Sequence, residues 1–159
     1  MPADLPDASA CPRLAVRAIL MHENRVLMVN AYPDGQSPLM CAPGGGVEAG
    51  SSLPENLHRE VHEETGLRIV VGAPCLVNEF HVPGGSFHQV DVYFRCELAP
   101  GTQADPDPAW EDTARIVSDR RWLTEAELAQ IPHKPDSLRA VAFGRDRTLS
   151  YDPLEPLVR

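Results

Sequence analysis

Residues 45–67 read "GGVEAGSSLPENLHREVHEETGL". Ser52-x-x-Glu55 is a capping box, in which each side chain satisfies a backbone N–H of the other residue at a helix start. Pro54 fits the first turn, where its missing N–H has no helical partner. Gly66 supplies the left-handed residue that usually follows a helix end. The pattern therefore predicts a helix between Ser52 and Gly66. Leu53, Leu57 and Val61 recur at four-residue intervals and share one face. Glu60 and Glu64 border that face, and Glu63 lies further round. Like charges at such spacing repel by a few tenths of a kcal/mol per pair, and a carboxylate beside an apolar face loses hydration. Arg59 reaches Glu63 at i+4, which leaves Glu60 and Glu64 without an evident local cation. Two readings compete: a solvated helix edge with one salt bridge, or carboxylates gathered for a hard divalent cation. The glycines directly before the helix favour the second. Glycine lets backbone approach a ligand closely, and a helix N-terminus favours anions.

On either side of this stretch the chain reads as strands and short helices. "LAVRAILMH" (14–22) and "RVLMVNAY" (25–32) form an expected hairpin around Glu23-Asn24. "LRIVVG" (67–72) and "CLVNEFHV" (75–82) read as strands. In "FHQVDVYFRCEL" (87–98), Val90, Val92, Phe94, Cys96 and Leu98 alternate with Gln89, Asp91, Tyr93, Arg95 and Glu97. His81, His88, Gln89, Asp91 and Tyr93 are candidates to line a cleft, with ordinary core or surface roles as the alternative. A long acidic loop spans 99–113, where Trp110 either stacks on a base or pins the loop. "ARIVSDRRWL" (114–123) is an expected strand, and Thr124-x-x-Glu127 caps a helix over 125–130. A last helix is expected within 135–144. The organisation is a flexible N-terminal arm at 1–12, one domain at 13–145 and an irregular C-terminal tail at 146–159.

Bulk properties limit the function. A chain of 159 residues suits one domain with a sizeable core. A hydrophobic content of 43% excludes a disordered chain. A net charge of −9 argues against a nucleic-acid polymer or an anionic membrane as partner, because both need a basic surface. Cys11, Cys41, Cys75 and Cys96 have no metal-site spacing, and Cys75 and Cys96 fall in expected strands as small core residues. The N-terminus lacks a basic start and an apolar run, and no stretch reaches the roughly 18 apolar residues of a membrane span. A reducing, cytoplasmic location is the expectation.

The glycine turn, capped helix and acid cluster resemble the signature of the Nudix hydrolases, G-x5-E-x7-R-E-U-x-E-E-x-G-U, with U a bulky apolar residue. Gly45 takes the first position, Arg59 and Glu60 the R-E pair, Val61 the first U, Glu63 and Glu64 the E-E pair, and Gly66 and Leu67 the end. Ser51 departs from the pattern, standing where the family has its first glutamate. The resemblance implies an α/β fold, the Nudix-type α/β/α sandwich with a mixed β-sheet between helices. It implies a metal-dependent hydrolase that cleaves the diphosphate bond of a small nucleoside diphosphate derivative. Such derivatives include nucleotide sugars, ADP-ribose and nucleoside triphosphates. The cofactor would be Mg²⁺, with Mn²⁺ as a substitute. Gly44 through its carbonyl, Glu60, Glu63 and Glu64 would bind the metal. Glu60 or Glu64 would activate water, and Arg59 would hold the glutamates. Gly45 and Gly46 would let backbone meet the substrate, and Arg121 would contact phosphate. Family members often add an acid from a late loop. Here Glu111 is preferred over Asp112 for reach, and Asp119 is read as a partner of Arg120 or Arg121. Ser51 leaves a second reading open, a nucleotide-binding regulator with weak or no turnover. The resemblance also admits a homodimer.

Overall fold

The computed structural model describes residues 11–159, so most of the expected N-terminal arm, residues 1–10, lies outside the described residues. The first two strands, β1 (Arg13–His22) and β2 (Arg25–Asn30), pair antiparallel. Glu23 and Asn24 both take positive φ at the turn between them, as a two-residue hairpin loop requires. Two short strands follow, β3 (Met40–Cys41) and β4 (Gly44–Gly46), and then helix α1 (Leu53–Thr65). Ser52 and Glu55 form the expected capping box, and Gly66 ends the helix in the left-handed conformation.

The long strands β5 (Ile69–His81) and β6 (His88–Leu98) pair antiparallel, and β6 runs parallel to β1. Two separate strands were expected over 67–82. Instead β5 is continuous and absorbs a register shift around Pro74, a residue that cannot donate to a ladder. The chain continues through β7 (Arg120–Leu123), α2 (Glu125–Leu128), α3 (Leu138–Phe143), β8 (Ser150–Tyr151) and β9 (Glu155–Pro156). The strand order is β3-β2-β1-β6-β5-β8, with β4 joined to β1, β7 to β2 and β9 to β5.

Two apolar layers sandwich this mixed sheet. On one face Leu57 and Val61 of α1 pack on Val16, Ala18, Leu20, Phe94 and Cys96. On the other, Leu128 of α2 and Leu138 and Val141 of α3 pack with Ile19, Met28, Cys75 and Leu76. This is the expected α/β/α sandwich.

Two expectations are corrected. Residues 114–119 are not strand, because their backbone N–H groups are held by side chains, or for Arg115 by the Asp112 carbonyl, instead of a neighbouring strand. Asp112 accepts from Ala114, Ile116 and Val117, and Asn30 Oδ1 accepts from Ser118 and Asp119. The tail is not wholly irregular. Its β8 and β9 lie parallel along β5, with Asp152 N–H donating to Val77 O at 2.9 Å and Leu157 N–H to His81 O at 2.8 Å.

Candidate functional site

A cavity of about 450 Å³ opens between β4, the edge of α1, the β5–β6 face, the loop at 112–117 and the C-terminal tail. Its depth follows from the pairing of β1, β5 and β6. Arg13 and Arg17 of β1 stand beside Gln89 and Tyr93 of β6, and Asp91 is the register partner of Asn78. The first part of the β6 face that reads as polar in sequence is buried, with Gln89 at 4% and Asp91 at 3% exposure, whereas Glu97 at its end is exposed. Both line the cavity, as does Tyr93, whereas His81 and His88 do not.

At the other end stands the acidic edge of α1. Glu60 and Glu64 line the cavity and Glu63 does not. The Glu64 carboxylate is buried and accepts the Gly44 N–H at 3.1 Å. Burial pushes its pKa up to about 8. Arg17 and the Gly44 N–H pull it down, and the neighbouring charges of Glu60 and Asp112 push it up again. Burial also raises Glu60, with Arg59 opposing and Glu63 adding to the shift. The Glu60 carboxylate lies so close to Gly45 that a Cβ there would collide with it, and a Cβ on Gly44 would collide with the Val16 carbonyl. These two glycines are what let β4 lie between the helix and β1.

Arg59 is shared more widely than its i+4 spacing to Glu63 suggests. Its Nη1 donates to Glu60 Oε1 at 2.9 Å and stands 3.5 Å from Glu63 and 3.8 Å from Glu48. Its Nη2 donates to Asn56 Oδ1 at 2.9 Å and to Gly46 O at 3.4 Å. Glu60 therefore has a local cation after all, and Arg59 ties the helix to β4. Ser51 is exposed, and its carbonyl accepts from the Asn56 amide at 3.2 Å.

Arg17 is the central cation of the cavity. Its Nε donates to Asp91 Oδ2 at 3.3 Å and its Nη1 to the carbonyls of Ala42 and Gly44. Burial works against its charge, and the fields of Asp91, Cys41, Tyr93 and Glu64 more than offset this, so its pKa is raised.

The structure brings only some of the expected site residues together. Gly44, Gly45, Gly46, Glu60 and Glu64 meet at the cavity. Arg121 does not. It is exposed, pairs with Asp119 just before β7, and lies outside the lining. Glu111 is also exposed and outside the lining, while Asp112 is buried and lines the cavity. The turn at 112–117 closes on the Asp112 carboxylate, which draws that side chain inward and leaves its neighbour in solvent. Trp110 pins the loop: its Nε1 donates to Glu63 O at 2.9 Å and its ring packs on Gly66. Arg120 fastens the same corner, donating to Glu64 O at 2.7 Å and Trp110 O at 3.1 Å.

Sequence reasoning missed Arg13, Arg17, Asn78 and Lys134, along with Glu155, Pro156, Leu157 and Val158 of the tail, all of which line the cavity. One signal was available for Arg17: a lone cation inside the apolar run "LAVRAIL" must face something that compensates it.

Among the described residues, no group of three or more His, Cys, Asp or Glu side chains stands together in a cluster that could hold a metal. Glu60 and Glu63 are both drawn to the Arg59 guanidinium, at 2.9 and 3.5 Å from its Nη1. The fit to a divalent cation is therefore one of donor chemistry. Glu60 and Glu64 offer hard carboxylate oxygens beside a glycine backbone, and at Glu64 the cost of burial outweighs the favourable field of Arg17.

A family model for the NUDIX domain matches residues 12–142. A protein of Bacillus subtilis (strain 168) named putative ADP-ribose pyrophosphatase YjhB is 29% identical over 93 residues, covering 57% of this chain and 43% of that one. An ADP-ribose pyrophosphatase of Methanocaldococcus jannaschii is 36% identical over 56 residues, covering 35% of this chain and 33% of that one. The chain thus spans less than half the length of these curated relatives. Among solved structures, a UDP-X diphosphatase superposes with a TM-score of 0.65 at 22% identity, covering 92% of this chain and 70% of that one. An ADP-ribose pyrophosphatase from Streptococcus suis 89-1591 gives 0.62 at 18% identity, covering 89% and 100%. At these identities the likeness is one of fold.

Proposed function

The chain belongs to the NUDIX family, and from that premise we propose that it is a pyrophosphohydrolase that uses Mg²⁺, or Mn²⁺ in its place, to cleave the diphosphate bond of a small nucleoside diphosphate derivative. ADP-ribose is the first candidate, because two curated relatives carry that name. The observation that carries the reading is Glu64, a buried carboxylate at the cavity wall that accepts one backbone N–H and, among the described residues, forms no salt bridge.

In this reading Glu60 and Glu64, with the Gly44 carbonyl, would hold the metal, and Glu63, 3.5 Å from Arg59, would be the third helix carboxylate available to it. A bound divalent ion supplies charge neutralisation on the diphosphate and lowers the pKa of water. The remaining work belongs to the chain. Gly45 and Gly46 let backbone approach the phosphates. Arg13 and Lys134, both at the cavity, offset further negative charge. Arg59 keeps Glu60 aligned through its 2.9 Å contact. Acceptance of the proton from attacking water falls to Glu60 or Glu64, the two glutamates of the helix that face the cavity. The scattered cysteines fit a reducing, cytoplasmic setting. Among the described residues no helix is long and apolar enough to cross a membrane.

The test is a panel of ADP-ribose, nucleotide sugars, nucleoside triphosphates and dinucleoside polyphosphates with Mg²⁺ or Mn²⁺. Nucleoside monophosphate, phosphate and pyrophosphate release are followed. Hydrolysis of at least one substrate at its phosphoanhydride bond, dependent on metal, is expected. Metal binding with no release from any of them overturns the proposal. That outcome would favour the second reading, a nucleotide-binding regulator. Ser51 is the observation behind it: it stands where the family motif has a glutamate, and its side chain faces solvent.

A further inference from the structure

Away from the acidic edge of α1, the cavity has a second polar surface on β5 and β6. Asn78 donates its side-chain N–H to Asp152 Oδ2 at 3.3 Å, and Gln89 donates to Asp91 Oδ1 at 2.7 Å. An ionised carboxylate only accepts, so each contact decides which end of the amide is nitrogen. The amide oxygens, Asn78 Oδ1 and Gln89 Oε1, must turn the other way. Among the described residues neither accepts a hydrogen bond. The buried polar side-chain atoms left without partners are His62 Nδ1 and Arg95 Nε. Both amide oxygens are therefore reached from the cavity that their residues line. Beside them stand the rings of Phe80 and Phe87, 6.0 Å apart and tilted. The surface thus combines two oriented acceptors with two aromatic rings.

We propose that this surface reads the nucleobase, with Asn78 Oδ1 and Gln89 Oε1 accepting hydrogen bonds from an exocyclic amino group. The proposal rests on the nucleotide-derivative reading above and narrows it to amino-bearing bases. Adenine, guanine and cytosine carry such a group; uracil, thymine and hypoxanthine do not. An oriented acceptor gains a bond from an amino group and meets repulsion from a ring carbonyl in the same place. Flat rings suit base stacking. Asp152 is a positioning residue. It fixes the Asn78 amide and is itself held by the Ser137 hydroxyl at 2.5 Å. It lies beyond residue 142, where the family match ends.

The test is equilibrium binding, which needs no turnover. AMP is compared with purine riboside 5′-monophosphate, the same ring without its amino group, and GMP is compared with IMP. Wild type should lose about tenfold in affinity when the amino group is deleted from the ring it prefers. Asn78→Leu should shrink that loss to about threefold, because Gln89 Oε1 still accepts. Asp152→Asn keeps side-chain size but lets the Asn78 amide turn over, so it should shrink the loss as well and carries the test if Asn78→Leu fails to fold. A general structural role would weaken both members of a pair alike. Equal affinity with and without the amino group in wild type overturns the proposal. So does an amino preference that survives undiminished in both variants, or a failure to bind any of the four nucleotides. Hydrolysis without amino preference would overturn this inference alone. Amino preference without hydrolysis would overturn only the catalytic reading.

Discussion

Glu64 and Asp91 are both buried carboxylates on the wall of one cavity, and their surroundings differ. Asp91 accepts from Arg17 Nε at 3.3 Å and from Gln89 Nε2 at 2.7 Å. Glu64 accepts one backbone N–H, from Gly44; the field of Arg17 favours its charge without touching it, and burial, with the charges of Glu60 and Asp112, outweighs both. A buried charge is tolerated when it is paired and hydrogen-bonded. Asp91 meets that condition and holds the cavity floor in place. Glu64 does not, and an arriving cation gains most there. In the proposed function, one carboxylate serves the fold and the other the chemistry.

The largest effect that could break this contrast is catalytic. Glu64→Gln should lower turnover by about a thousandfold, because it removes charge that acts on the transition state, while the protein stays folded. Activity within threefold of wild type would remove Glu64 from the chemistry. Asp91→Asn should do the reverse. By leaving the buried Arg17 without its ionic partner it should cost about 3 kcal/mol of stability, read by denaturant unfolding. A fully stable Asp91→Asn protein would make the two carboxylates alike.

A third effect sharpens the contrast through pH. Glu64 has its folded pKa raised, to about 8. Between its unfolded value, near 4.3, and 8, the folded state keeps a proton that the unfolded state has released. Metal-free stability should therefore fall as pH rises through that window and level off above it. The slope is about 1.4 kcal/mol per pH unit for one group, or about 2 kcal/mol from pH 6 to 7.5. Glu64→Gln should flatten most of that fall, because glutamine still accepts the Gly44 N–H and does not ionise. Parallel stability–pH curves for the two proteins would show that burial does not strain Glu64.

The smallest effect concerns the loop. Asp112→Asn should lose about 1 kcal/mol, since its carboxylate holds three backbone N–H groups of the turn. Glu111→Gln should change neither stability nor rate beyond twofold. A rate loss confined to Glu111→Gln would return the catalytic role to the exposed residue.

The half of the site around Glu64 was legible in the sequence because it is local. Its cap, its helix and its acids lie within 23 consecutive residues, and the glycines precede them directly. The half around Asp91 was less legible because it is assembled by pairing across the sheet. Arg17, Asn78 and Asp91 meet only through the β1–β6 and β5–β6 registers, and Asp152 reaches Asn78 only because the tail adds to β5. Asp112 was passed over for Glu111 because side-chain reach was weighed and the turn was not. The strand expected at 114–123 starts only at Arg120 for a related reason. Its β-branched residues fit a strand, but the Asp112 and Asn30 side chains captured the backbone donors a ladder needed.

The central claim is that Glu64 is left short of positive charge so that a divalent cation can supply it. The most direct test is a Mn²⁺ titration of wild type and Glu64→Gln at pH 7.5, reading free Mn²⁺ by electron paramagnetic resonance. Wild type should bind Mn²⁺ with release of protons, and Glu64→Gln should bind at least about tenfold more weakly. Equal affinity in the two proteins, or no binding by wild type, would contradict the account.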